Sequence, residues 1–210
     1  MHDAVYMFVK HLPNRAQRWW KTFLFFLTLP LVGIVSLFSE ANAISLLCYF
    51  SLRQVSCADA QLAVRKGVTR DMCRRVFPDV LRELQSHQEQ GRTVVLLTGN
   101  LLPLVRPFAR SLGAKCAATL VESRGEVYTG YTMGQPMVCD EKASFVRATC
   151  DNLPEAHAYG NSKHDLPFMI VCGNAVAVKP CSTLRRESER RGWPRRLLDP
   201  KPPQATRSEE

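Results

Sequence analysis

The sequence predicts an α/β domain with a mostly parallel sheet, entered through a helical, apolar N-terminal segment. Two patterns carry that prediction. From Gly91 onward, apolar runs of strand length alternate with stretches of helical period, the signature of a layered α/β fold. Before Gly91 the apolar residues recur at helical spacing or in long runs. With 46% hydrophobic residues in 210, the chain has apolar material for one real core.

Residues 1–22 form a basic, amphipathic lead-in holding Lys10, Arg15, Arg18, Lys21 and the pair Trp19-Trp20, which suits a membrane interface. The run FLFFLTLPLVGIVSLF follows at 23–38, and a second apolar stretch occupies 44–50. The first run is shorter than the roughly 20 residues a spanning helix needs, and it lacks the small-residue cleavage site of a signal peptide. Pro30 and Gly33 weaken a straight helix, although membranes tolerate them. A short span, a re-entrant or interfacial hairpin and a buried cap helix all stay open. Membrane association is the expectation, with the basic flank on the cytoplasmic side.

Residues 57–90 read as helices, with Thr69 or Asp71 capping one and Gly91 ending the next. The period then changes. Residues 93–98 make a buried-strand run, and 102–112 a helix closed by Gly113. Residues 119–121 and 127–131 alternate around the turn Ser123-Arg124-Gly125-Glu126 and read as a hairpin. A helix over 140–150, a strand over 156–159, a helix over 166–172 and a strand over 175–178 complete the alternation. Beyond Pro180 the chain turns to Arg, Glu and Pro, the composition of a linker or disordered tail. Three segments follow: 1–56, 57–180 and 181–210.

The net charge of +9 is concentrated toward the ends. No aromatic residues interleave with the basic ones as a single-strand platform requires, so nucleic acid is not an expected partner. An anionic membrane surface fits better. The eight cysteines form no C-x-x-C pair and mostly sit in apolar contexts, so they read as reduced, buried residues rather than zinc ligands.

Ligands of such sheets bind at the carboxyl ends of strands. Thr98, Gly99 and Asn100 end one predicted strand, where a hydroxyl and backbone N–H groups can hold a phosphate oxygen. Lys142 opens a helix and can neutralise phosphate as a point charge. Asn161 and Asp165, in Gly160-Asn161-Ser162-Lys163-His164-Asp165, can offer oxygen ligands to magnesium. Each has a plainer reading: Thr98 as a helix cap, Lys142 as a solvated lysine, Asp165 as a cap for the helix starting at Leu166. Their order and spacing argue for the chemical one.

That order, with LVESRGEVYTGYT before the lysine and Val176-Ala177-Val178-Lys179-Pro180 after it, resembles motifs two to four of the haloacid dehalogenase superfamily. The resemblance is to its phosphoserine-phosphatase-like branch and covers roughly 57–180. It implies a three-layer Rossmann-like fold, a phosphomonoester substrate and Mg2+. A narrower resemblance, over about 3–180, is to the plant membrane-bound glycerol-3-phosphate acyltransferases, in the Trp-rich basic lead, the apolar block and AYGNSKHDLPFM. It implies a glycerol-3-phosphate-type lipid substrate and the cytoplasmic face of the endoplasmic reticulum membrane.

The sequence also departs from both patterns. The superfamily's DxDx[TV] nucleophile motif needs two Asp one residue apart, and the Asp residues at 3, 59, 71, 79, 140, 151, 165 and 199 include no such pair. Asn161 stands where the fourth motif has its first Asp. No His is followed by Asp at the HxxxxD spacing of acyltransferases. The expectation is a fragment of the acyltransferase type, lacking the sheet's first strand and inactive as it stands. A clipped, stand-alone magnesium phosphomonoesterase and a non-catalytic membrane-associated binding protein are the alternatives.

Overall fold

The computed structural model describes residues 2–196. They pack as two compact units, one ending at Met137 and one beginning at Val138.

The first unit opens with α1 (His2–Lys10), α2 (Arg15–Phe38) and α3 (Glu40–Leu52). The basic lead-in is in part a core element: Val5, Phe8, Val9 and Leu12 are buried. Asn14 caps α2 by accepting the Gln17 N–H at 3.1 Å. Ser39 both ends α2, its N–H donating to the Val35 carbonyl, and starts α3, its hydroxyl accepting the Asn42 N–H. The apolar run and its basic approach are therefore one 24-residue helix, longer than the sixteen apolar residues suggest, and it continues through Pro30.

Lys21 stands apart from the other cations of the basic lead-in. Its ammonium is buried and donates to the Phe50 and Arg53 carbonyls at 3.0 and 2.8 Å, satisfying acceptors at the C-terminal end of α3. Burial, with repulsion from Arg53, brings its pKa down from 10.5 to about 8.

Ser56 caps α4 (Cys57–Ala63), which runs through a π-turn at Val64–Val68 into α5 (Thr69–Cys73). Thr69 and Asp71 therefore cap nothing, because the helical backbone is continuous there. Asp71 instead meets the His11 ring at 3.1 Å. Then come α6 (Pro78–Glu89), β1 (Val95–Leu101), α7 (Leu102–Ser111), β2 (Lys115–Thr119), β3 (Val121–Arg124) and β4 (Val127–Thr132). β2 is parallel to β1, pairing Val95 with Lys115 through Thr98 with Ala118. Thr119, expected in the hairpin, belongs instead to β2, and the arms of the hairpin are β3 and β4. A run of Lys, Cys, Ala, Ala and Thr is short and weak in β-formers, so only the tertiary pairing reveals it. The chain at Gln54, Val55 and Cys57 bonds along β4 and its turn, and Gly130 lets α3 approach: a side chain there would meet the Arg53 Cβ at 2.9 Å.

The second unit comprises α8 (Asp140–Thr149), β5 (His157–Gly160), α9 (Leu166–Val171), β6 (Asn174–Val178), α10 (Ser182–Arg191) and β7 (Arg195–Arg196). β5, β6 and β7 form a parallel sheet in that order. Most strand pairing is thus parallel, as expected, but it is divided between β1–β2 and β5–β6–β7 rather than joined in one sheet among the described residues.

The expected disordered tail is also corrected up to Arg196. Leu184 and Ser188, four apart on α10, are fully buried, and Gly192 takes the left-handed φ of 68° that ends the helix. The Arg-rich composition hid this because only one turn-to-turn stripe of α10 faces inward. Residues 197–210, the rest of that predicted tail, lie outside the described residues.

Two outcomes test this packing. Leu184→Ala will destabilise the protein by about 2–5 kcal/mol in urea unfolding, as for a core leucine, whereas a disordered tail would leave the transition unmoved. Between pH 8 and 10.5 the unfolded chain holds a proton that folded Lys21 has released. The stability of the wild type relative to Lys21→Met will therefore rise with pH across that window and stay level below it, which parallel urea melts will read.

Candidate functional site

Lys142 and Asp165 form the polar centre of the second unit. Lys142 lies in the first turn of α8 and Asp165 immediately before α9, and both are buried at 7% exposure. The Lys142 Nζ donates to Asp165 Oδ1 at 2.6 Å. Asp165 Oδ2 accepts three more hydrogen bonds: from the Asn161 N–H (3.0 Å), the Ser162 N–H (3.1 Å) and the Ser162 hydroxyl (3.1 Å). One carboxylate thereby folds the loop after β5 and fixes the lysine.

Burial raises the Asp165 pKa, but the Lys142 charge, its hydrogen bond and the two backbone donors outweigh burial. The carboxyl is held below the usual carboxylate range. Gly160 permits this loop, since a Cβ there would lie 2.5 Å from the Met169 sulfur and 2.7 Å from the Asp165 Cβ. The Lys142 ammonium has three N–H donors and spends one on Asp165. It also lies 5.5 Å from the centre of the Phe168 ring.

Thr98, Gly99 and Asn100 belong to the first unit. The regular β1–β2 register breaks just after Thr98, so Gly99 and Asn100 form an irregularity inside β1 rather than following its end. Gly99 turns its carbonyl to the Thr119 hydroxyl at 2.8 Å. Thr98 Oγ1 accepts from the Asn100 N–H and from its side-chain nitrogen, both at 3.2 Å, which leaves the hydroxyl proton free to point elsewhere. The buried Asn100 Oδ1 has no hydrogen-bond partner among the described residues. Asn100 lines a cavity of about 220 Å³ with Met7, Met72, Arg75, Val76 and Phe108.

The residues do not fit a magnesium ion as they stand. Mg2+ asks for an octahedral set of oxygens, one or two of them carboxylate. Asp165 is the carboxylate of its loop, and both its oxygens are engaged by four donors. No group of three or more His, Cys, Asp or Glu side chains able to hold a metal occurs among the described residues.

One pairing here carries no signal in the sequence. Cys139 Sγ and His164 Nδ1 lie 3.3 Å apart, and Cys139 takes a φ of 47°, uncommon for a residue with a side chain. The partners are 25 residues apart in no recognisable spacing, so only the fold brings them together.

A phosphoserine phosphatase of Mycobacterium tuberculosis, SerB1, is 36% identical over 121 residues, which is 55% of this chain and 39% of that protein. The chain thus spans less than half the length of that relative. In solved structures, a Bordetella pertussis protein of unknown function superposes with a TM-score of 0.79 at 20% identity, over 93% of this chain and 92% of that one. A substrate-bound phosphoserine phosphatase superposes with a TM-score of 0.60 at 12% identity, over 88% and 82% of the two chains. At those identities the superpositions establish the fold. None of these relatives is an acyltransferase by name, and the narrower plant resemblance gains nothing from them. The model of the haloacid dehalogenase-like hydrolases matches residues 13–169, well over half the chain, and the protein belongs to that family.

Proposed function

We propose that this chain is the phosphate-recognising part of a stand-alone phosphomonoesterase of the family. The observation that carries this reading is the buried Lys142, held by Asp165 with donors to spare. A buried ammonium is costly unless paired, and one whose remaining N–H groups are uncommitted to Asp165 suits a doubly charged phosphate oxygen cluster. The phosphatase names among the relatives support a phosphomonoester as ligand. The sequence resemblance also assigns Thr98, Gly99 and Asn100 of the first unit to phosphate, with the Thr98 hydroxyl as donor, and their part is tested separately from that of Lys142. The family's general use of Mg2+ applies to the complete active site; in the described residues Asp165 serves Lys142 and its own loop.

Hydrolysis is a separate matter. The sequence contains no DxD pair, so the nucleophile of an aspartyl-phosphate mechanism is not supplied by these residues. The chain as given is therefore expected to bind phosphomonoesters without turning them over.

Calorimetric titration of the chain with O-phosphoserine tests this reading. Lys142→Gln will weaken binding by roughly 10-fold or more, the worth of a hydrogen bond to a charged group. Thr98→Val, which removes the donor and keeps the shape, will weaken it to a lesser degree. Equal affinity in wild type and Lys142→Gln would remove the lysine from the site. Independently of ligand, Asp165→Asn will cost about 3–5 kcal/mol of stability by leaving Lys142 buried and unpaired, and the double variant Lys142→Met with Asp165→Asn will recover part of it. The Asp165 contribution is complete above the usual carboxylate range and disappears as pH falls through the lowered folded pKa, which acid unfolding of wild type against the double variant will show.

A further inference from the structure

We infer that the outer face of α2 docks on an anionic lipid bilayer, with the helix lying in the plane of the interface. The helix has two opposed faces. Lys21, Phe25, Thr28 and Val32, spaced at 4, 3 and 4 residues, are its buried residues. On the far side stand Trp19, Phe23, Leu27, Ile34, Leu37 and Phe38, with exposures from 57% at Ile34 to 87% at Phe38. At about 1.5 Å per residue the helix is roughly 36 Å long, and its whole outer face is apolar. Scattered exposed apolar residues are ordinary, but a contiguous stripe of this kind marks an interaction surface.

The charge around the stripe selects the occupant. Between Asp3 and Glu40 the sequence holds no acidic residue, and its cations are Lys10, Arg15, Arg18 and Lys21. Lys21 is turned inward onto the Phe50 and Arg53 carbonyls, while Lys10 and Arg15 are exposed and Arg18 is half-buried. The cations are thus gathered at one end of the stripe, beside the exposed indoles of Trp19 and Trp20. Indoles at a polar–apolar boundary and cations at the headgroup level are what an anionic bilayer surface accepts. A second copy of the chain offers less. Side by side in parallel, Arg15 and Arg18 meet their own kind; antiparallel, they meet Ile34, Leu37 and Phe38. The parallel arrangement supplies no counter-charge, and in the antiparallel one the acid nearest Arg15 is Glu40, which already has a partner within the chain.

The buried face decides against a transmembrane orientation. α2 is long and apolar enough to cross a membrane, but crossing would require stripping Lys21 from its carbonyls and Phe25 and Val32 from the α-helical core. Lying flat, the helix keeps that face in the protein and sinks the other into the headgroup–acyl boundary.

The test uses the full chain and vesicles of phosphatidylcholine with or without phosphatidylserine. Trp19 and Trp20 are two of the chain's three tryptophans and report their own surroundings. The expected result is flotation with the phosphatidylserine vesicles, a blue shift in tryptophan emission, and quenching by lipids brominated near the headgroup. Replacing Phe23, Leu27 and Ile34 by Ser will abolish flotation while the thermal melt and phosphoserine binding stay unchanged. Arg15→Gln with Arg18→Gln will reduce partitioning by on the order of 10-fold or more, as for two cations near an anionic surface. Failure to float with either vesicle overturns the inference, and so does quenching only by bromines at the bilayer centre, which would mean a spanning helix. A lipid-independent dimer that the triple Ser variant dissociates, with no flotation, would assign the face to a second copy instead. Phosphoserine affinity is read separately, so neither result depends on the assignment of Lys142.

Discussion

The carboxylate of Asp165 is the constraint on which the second unit depends. It is short, buried and bonded on every side: Lys142 from α8, and two backbone N–H groups and a hydroxyl from its own loop. Those bonds turn the chain sharply after β5, ahead of α9, and hold the first turn of α8 against both. Hydrophobic contacts through Ala143, Phe168 and Met169 give the region its stability, but such contacts are non-directional. The ion pair and its hydrogen bonds are directional, and they fix which loop conformation those contacts stabilise. A buried pair of this kind contributes little net free energy against an apolar replacement. Its presence is therefore better explained by the position it imposes on the lysine than by the stability it adds.

The same carboxylate shows what sequence can and cannot disclose. Lys142 and Asp165 were legible as candidates because strand-end polar residues in an α/β pattern are few, and the structure brings these two together at 2.6 Å. The plainer reading of Asp165, as a cap for the helix starting at Leu166, is not met: one oxygen pairs with the lysine, and the other turns back to Asn161 and Ser162 and makes no capping bond to α9. That division of labour has no sequence signature. The Cys139–His164 contact and the register break at Gly99 likewise depend on where the chain is brought by distant pairing. Helices with a clean apolar stripe, such as α7, were placed within a residue. Elements defined by tertiary contact, such as β2 and α10, were missed, since neither has enough apolar residues to show a period.

Polar burial follows one rule in both units. Lys21, far from the site in sequence, is also an ammonium taken out of water, and its partners are helix-end carbonyls instead of a carboxylate. Without a counter-charge, burial pulls its pKa down to about 8. Asp165, which has one, is held on the charged side of its range despite comparable burial. The contrast separates a structural cation, which tolerates losing its charge, from a site whose charge state is defended.

Recognition of phosphate and transfer of phosphate make different demands, and the proposed function asks these residues for the first alone. Recognition needs positive charge and hydrogen-bond donors fixed in place, and the proposed reading takes Lys142 for both. Transfer needs in addition a nucleophile and a means of neutralising charge as it moves onto the leaving group. Asp165 cannot serve as that nucleophile while it is spent on four donors: releasing it would leave Lys142 uncompensated and unfold the loop that positions it. Asn161, neutral where the family pattern has an acid, brings no second negative charge to attract a divalent cation. The buried charges are thus balanced, one ammonium against one carboxylate. Under the proposed reading an incoming phosphate meets an ammonium with donors to spare, whereas an incoming magnesium ion meets a carboxylate whose oxygens already accept four hydrogen bonds.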